Sequence, residues 1–226
     1  MNSKNILIVA ATKFEIEPLL TKIGLSDTHI QTGYMYDGMC NGVRIDVLIT
    51  GVGMVNTAYT MARYINSHYD FCINAGIAGS FNYDIKIGEV VNVVKDELCE
   101  MGAENDNDFI KWEDLALEGQ SVFQCNNVTM LTTLNELKKV NGITVNTVHG
   151  NTSNIIKVKQ LFNPDVESME GAAFFRSCER KVDFPIQIRT ISNYVEKRDK
   201  SKWNIPLAIN NLNEAVIKII EEINGN

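Results

Sequence analysis

Twenty-one Lys and Arg against 28 Asp and Glu give this chain of 226 residues a net charge of −7, which disfavours nucleic acid as a partner because phosphate binding needs a basic face. Its 45% hydrophobic and 22% charged residues are those of an ordinary folded domain and exclude wholesale disorder. The length suits one domain, 1–226, that buries a core without disulfides or metals.

In chain order, the run NILIVAA at 5–11 predicts a buried strand, and it is too short for a signal segment or a membrane span. Ile16, Leu19, Leu20 and Ile23 follow helical spacing, and Gly24 supplies a stop. VRIDVLIT at 43–50 alternates as a strand, and 54–66 read as a helix. Short strands are expected at 71–75, 87–94, 144–149 and 185–191, and a last helix over 205–223. The segment 99–120 is polar and irregular and reads as an excursion from the sheet. The alternation predicts an α/β fold of three layers, α/β/α, around a mixed, largely parallel sheet. Cys40, Cys72, Cys99, Cys125 and Cys178 show no CxxC pair and read as reduced thiols, while His29, His68 and His149 are too scattered for a metal site. A cytoplasmic protein without metal, cofactor or membrane partner is expected.

Three glycine-rich segments follow predicted strands: TGVGMVN (50–56), NAGIAGS (74–80) and VHGN (148–151). Glycine lets backbone N–H groups approach a ligand, and open α/β sheets bind ligands at the carboxyl ends of their strands. Each alone reads equally well as a tight turn; three together point to a site and leave its ligand open.

The segments SMEGAAFF (168–175) and QIRTISNYVEKRDKSKW (187–203) carry a resemblance. Met-Glu before a small-residue helix, then a strand reading I-R-x-I-S, resembles the purine nucleoside phosphorylase and nucleosidase superfamily. AATKFEIEPLL, TGVGMVNTA and NAGIAGS extend that resemblance over nearly the whole chain. Within the superfamily the run S-N-Y-V-E-x-R, with Trp203 and IPLAI after it, most resembles the futalosine hydrolases, which release hypoxanthine from futalosine in menaquinone biosynthesis. The methylthioadenosine/S-adenosylhomocysteine nucleosidases are similar in layout.

The resemblance implies a nucleoside substrate, and roles follow position by position. Glu15 matches the base that activates water, although Thr12-Lys13-Phe14-Glu15 is also a capping-box pattern. Glu170 matches the carboxylate that holds the ribose hydroxyls; the alternative is a helix-start Glu after a Ser168 cap. Met169 would pack beneath the ribose, and Arg189 would lie beside the water. Asn193 stands where adenine-specific relatives carry an aspartate. Its amide donates without charge, which suits the two acceptors of a 6-oxopurine edge. The resemblance also carries substrate contacts onto Val52, Gly53, Gly76, Ile77 and Asn154. Two positions depart from the nucleosidase pattern: Ile77 replaces a Ser, and Ser153 replaces the aromatic that stacks on the purine, so Phe14 or Tyr194 would have to serve.

Asn74 occupies the position before the central glycine segment that is arginine in the phosphorylases, which favours water over phosphate as nucleophile. Competing readings are a methylthioadenosine-type nucleosidase and a non-catalytic nucleotide sensor on the same fold. The resemblance further implies a homodimer whose 99–120 excursion closes the partner's site. It also places Trp203 and Arg198 against the 5′ substituent, which in futalosine ends in a benzoate.

Overall fold

The computed structural model describes residues 4–30, 33–40, 42–125 and 131–225. The chain runs through β1 (Asn5–Ala10), α1 (Lys13–Ile23), a hairpin of β2 (Ser26–Ile30) and β3 (Gly33–Cys40), β4 (Val43–Ile49), α2 (Met54–Tyr64) and β5 (Phe71–Ser80). It continues with β6 (Val90–Leu98), a hairpin of β7 (Gly102–Asn105) and β8 (Asp108–Lys111), β9 (Val122–Gln124), α3 (Thr132–Glu136) and β10 (Lys138–Thr144). Last come α4 (Thr152–Phe162), β11 (Val166–Ser168), α5 (Gly171–Cys178), β12 (Phe184–Tyr194) and α6 (Ile205–Gly225).

β1 is apolar at successive positions because both its faces are covered. Ile6, Ile8 and Ala10 pack with Ile16 and Leu19 of α1 and Leu212, Val216 and Ile219 of α6. Leu7 and Val9 pack with Met61 of α2 and Phe174 and Phe175 of α5. These are the helical layers on the two faces of a ten-stranded sheet ordered β11-β10-β6-β12-β5-β1-β4-β3-β2, with β9 beside β6. The ladders β4–β1–β5–β12 and β6–β10–β11 are parallel. The β2–β3–β4 edge and the β12–β6 and β6–β9 pairings are antiparallel, so the sheet is mixed. β11 also pairs back on β5, which closes β5, β12, β6, β10 and β11 into a ring. Each ring strand contributes to one apolar cluster of Ala78, Val91, Val93, Val140, Val166 and Ile191.

Several expected boundaries move. NAGIAGS is no turn: β5 runs straight through it, paired with β12 from Phe71 to Ser80. Neither Gly76 nor Gly79 has a positive φ; they are glycine because side chains of the site occupy the space where a Cβ would stand. TGVGMVN is a true turn, with Gly51 and Gly53 at φ 85° and 97°. The strand expected at 87–94 begins at Val90, after a turn at Gly88 (φ 86°). That expected at 144–149 is β10, six residues earlier at Lys138, where Lys138, Lys139 and Asn141 hide the apolar period. VHGN therefore lies in the β10–α4 connection rather than on a strand end. The excursion 99–120 holds the β7–β8 hairpin, a separate two-stranded sheet. Phe109 packs edge-on against Phe162 of α4, and Lys111 lies over the same ring.

Candidate active site

At the carboxyl ends of β1, β4, β5, β11 and β12 a cavity of about 300 Å³ opens. Its wall includes Glu15, Val52, Ile77, Met169, Glu170, Asn193, Arg198 and Trp203, eight of the positions singled out from the sequence, and also Phe14 and Tyr194. Gly53, Gly76 and Arg189 stand directly behind that wall. Asn154 lies elsewhere, on α4, facing a second cavity between α4 and the β7–β8 hairpin. Ser153 is exposed at the start of the same helix.

Glu15 serves two ends at once. Its Oε2 accepts the backbone N–H of Thr12 (3.0 Å) and the Thr12 hydroxyl (2.9 Å), so the capping box is formed. Its Oε1 accepts the N–H of Ile77 across the chain (3.3 Å) and borders the cavity. Cap and cavity wall are one side chain. Burial, and then the charge of Glu170, push the Glu15 carboxyl above its ordinary range, against Thr12, Arg189 and the Ile77 N–H. Pro18 lies within α1, and Asn213 of α6 splices into the helix ladder there: it accepts from Leu19 N–H (3.0 Å) and donates to the Glu15 carbonyl (2.8 Å).

Glu170 is the residue before α5, held by Gly53 N–H on Oε1 (3.0 Å) and Met169 N–H on Oε2 (3.2 Å). It does not act as a side-chain cap, and Ser168 does not cap α5 either: its hydroxyl is buried without a partner among the described residues. Arg189 is buried within β12, 1% exposed. Its guanidinium donates to the Asn74 carbonyl and side chain and to the Ile188 carbonyl, so Asn74 is a support for Arg189. A Cβ at Gly76 would stand 3.2 Å from both the Arg189 Nη1 and the Glu15 Oε1, so glycine is what lets these charges face each other. Burial lowers the Arg189 pKa, while Glu170, Asp96 and Glu15 hold it up.

Asn193 sits where β12 shifts register against β5. Its Oδ1 accepts the Ser192 hydroxyl (2.8 Å), which orients the amide, and one N–H goes to the Tyr194 carbonyl (3.0 Å). In this arrangement one amide N–H, rather than two, remains for a ligand. Tyr194 leans on Tyr83 with ring centroids 4.6 Å apart. The Arg198 guanidinium lies over the Trp203 ring, 4.7 Å from its centroid, and has no carboxylate partner among the described residues. Two further wall residues, His149 of the VHGN segment and Glu167, have no assigned role in the sequence reading. They pair across 18 positions, at 2.7 Å, and the local signals are VHGN itself and a charged residue in the short buried β11, Val166–Ser168. Among the described residues no group of three His, Cys, Asp or Glu is placed to hold a metal, and no helix is long and apolar enough to cross a membrane.

A family model described as the phosphorylase superfamily matches residues 5–223. The chain is 27% identical to the futalosine hydrolase of Thermus thermophilus over 186 residues, 79% of this chain and 82% of that protein. It is 33% identical to the 5′-methylthioadenosine/S-adenosylhomocysteine nucleosidase of Hydrogenovibrio crunogenus over 88 residues, 38% of each chain. The solved structure of Helicobacter pylori futalosine hydrolase superposes with a TM-score of 0.83 at 16% identity, over 97% of this chain and 98% of that one.

Behind Glu170, Asp96 anchors the start of α5. It accepts from Thr144 (2.7 Å) and Gln187 (2.9 Å), and the Thr144 oxygen accepts the Ala172 N–H (2.8 Å). Burial lifts the Asp96 pKa from 3.8 to about 6, against those two donors and Arg189. A raised folded-state value means stability that is full below 3.8 and lost as pH rises through about 6. Asparagine fits the same place, because Gln187 has a buried Oε1 without a partner and can rotate to accept from it. Urea unfolding between about pH 4 and 7 should show the wild type losing up to about 3 kcal/mol relative to Asp96→Asn. Parallel profiles would remove the buried proton from Asp96.

Proposed function

The chain belongs to the phosphorylase superfamily, and we propose that it hydrolyses the N-glycosidic bond of a 6-oxopurine nucleoside, with futalosine as substrate and hypoxanthine as the released base, in menaquinone biosynthesis. The observation that carries this reading is a single cavity joining two buried carboxylates, Glu15 and Glu170, to a neutral amide at Asn193. The futalosine hydrolase of Thermus thermophilus, similar over 79% of the chain, supports it.

Hydrolysis passes through a ribose with oxocarbenium character, water bonding to C1′ while the base leaves with the bond electrons. Glu15, raised in pKa by burial and by Glu170, takes the water proton as general base. Glu170 keeps lone pairs beyond its two backbone bonds for the adjacent 2′- and 3′-hydroxyls, bonds that strengthen as the sugar becomes positive. The remaining Asn193 N–H meets the base where negative charge develops. Phosphate would need arginines converging on the nucleophile. Arg189 is enclosed behind Gly76, and Arg44 pairs with Asp46 at the opposite end of β4. Arg198 lines the cavity itself, on its aromatic shelf, and faces the carboxylate of the futalosine tail. Phe14, Val52, Val55 and Tyr59, each at least 48% exposed, form an apolar surface at and beside the cavity mouth, and we read it as the face of a homodimer.

Purified protein should release hypoxanthine from futalosine at the same rate with and without inorganic phosphate. An absolute phosphate requirement would overturn hydrolysis, and adenine release from methylthioadenosine in its place would move the substrate assignment. Glu15→Gln preserves the capping box and should cut turnover roughly 100-fold or more while leaving substrate binding in place. Arg198→Ala should lower kcat/KM for futalosine by roughly 10- to 100-fold and leave inosine, which lacks the tail, nearly unchanged; equal losses would assign Arg198 a structural role. Sedimentation should find a dimer at assay concentration, and a fully active monomer would refute that assembly.

A further inference from the structure

The pair His149–Glu167 belongs to the cavity wall yet has no part in the chemistry above. Glu167 is buried on β11, 4% exposed. Its Oε1 accepts the backbone N–H of His149 (3.0 Å) and its Oε2 meets the ring Nδ1 (2.7 Å). A carboxylate accepts only, so Nδ1 carries a ring proton, and in the neutral form of the imidazole Nε2 is a bare acceptor. Phe81 fixes the ring from the side, centroids 6.2 Å apart. Nε2 has no partner among the described residues and is not sealed from the cavities.

The sheet brings this pair to the same place as Asn193. Gly79 of β5 is the register partner of Asn193 on one side and of Glu167 on the other. A Cβ at Gly79 would stand 3.3 Å from Asn193 Nδ2 and 3.6 Å from Glu167 Cγ, so both side chains project past the same empty position. A neutral donor, Asn193, and an oriented acceptor, His149, therefore flank one end of the cavity.

We infer that His149 Nε2 accepts the N1–H of a 6-oxopurine base while Asn193 donates to the neighbouring acceptor edge, and that Glu167 is the positioning residue that sets the imidazole tautomer. An adenine offers a lone pair at N1, which would face the lone pair of Nε2, so the pair selects the base as well as holding it. This inference rests on the nucleosidase reading of the cavity and deepens it.

Glu167→Gln provides a test with a signature beyond loss of structure. Glutamine has one oxygen for two donors. The backbone N–H of His149 cannot change its proton, whereas the ring can, so the amide oxygen stays on the backbone and the tautomer shifts to Nε2–H. The variant should lose roughly 10- to 100-fold in kcat/KM on inosine and gain on adenosine, shifting the preference between the two bases. Wild-type enzyme, which needs no altered fold, should cleave 1-methylinosine at least roughly 10-fold less efficiently than inosine. Equal cleavage of inosine and 1-methylinosine by the wild type, or an unaltered base preference in a folded Glu167→Gln, would overturn the inference while leaving the nucleosidase reading in place. A wild type that releases base from no purine nucleoside would overturn both.

Discussion

A fully buried guanidinium is the constraint from which the site is organised. Arg189 lies inside β12 with no carboxylate in direct contact among the described residues; its hydrogen bonds go to Asn74 and to main-chain carbonyls. Its charge is nonetheless felt by Glu15 and Asp96, and those two carboxylates together with Glu170 in turn sustain it. A cation so enclosed would otherwise meet the full penalty of desolvation. Burial pushes two of these carboxylates, Glu15 and Asp96, toward their protonated forms, the charge of Glu170 adds to the rise at Glu15, and Arg189 opposes it at both. A basic carboxylate at the cavity and a proton-holding carboxylate behind it are two results of the same burial, held in check by one enclosed cation.

Backbone geometry makes this arrangement possible. β5 is the strand on which the site converges, and its glycines act by subtraction. Gly76 leaves room for Arg189 opposite Glu15, and Gly79 for Asn193 and Glu167. The closure of β11 onto β5 then places Glu167 across from Asn193. An open sheet would leave that edge to solvent and the two side chains apart. Glu15 depends on a different device. Proline within α1 leaves the helix ladder incomplete, and Asn213 from α6 bridges it at the Glu15 carbonyl and Leu19 N–H, tying the carboxylate's helix to the far end of the chain.

Much of this was legible in the residues. The continuous apolar run of β1, the helical spacing of α1 and α6 and the Gly24 stop mark elements whose burial is decided locally. The apolar pattern places this strand too late because the lysines and asparagine of β10 interrupt its period, and the pairing partners β6 and β11 make it a strand regardless. α4 leaves no clear apolar pattern for a related reason: it has no fully buried position and owes its face to Ile155, Val158 and Phe162 lying against other elements. The question of whether Glu15 caps a helix or faces a ligand had no answer in the sequence, because the two roles use different oxygens of one group.

What the sequence by itself determined is the alternation of buried strands and amphipathic helices, and the presence of Glu15, Glu170 and Asn193 near strand ends and of Arg189 within a strand, since periodicity and residue type are local properties of the chain. What only the tertiary structure decided is which of these meet. Asn154 lies outside the cavity that Arg198 and Trp203 share. Arg189 answers to carboxylates from three separate elements. His149 and Glu167 join through the return of β11 to β5. Such meetings depend on strand order, register and the space left by two glycines in a strand, and those are set by packing among distant segments rather than by any local pattern.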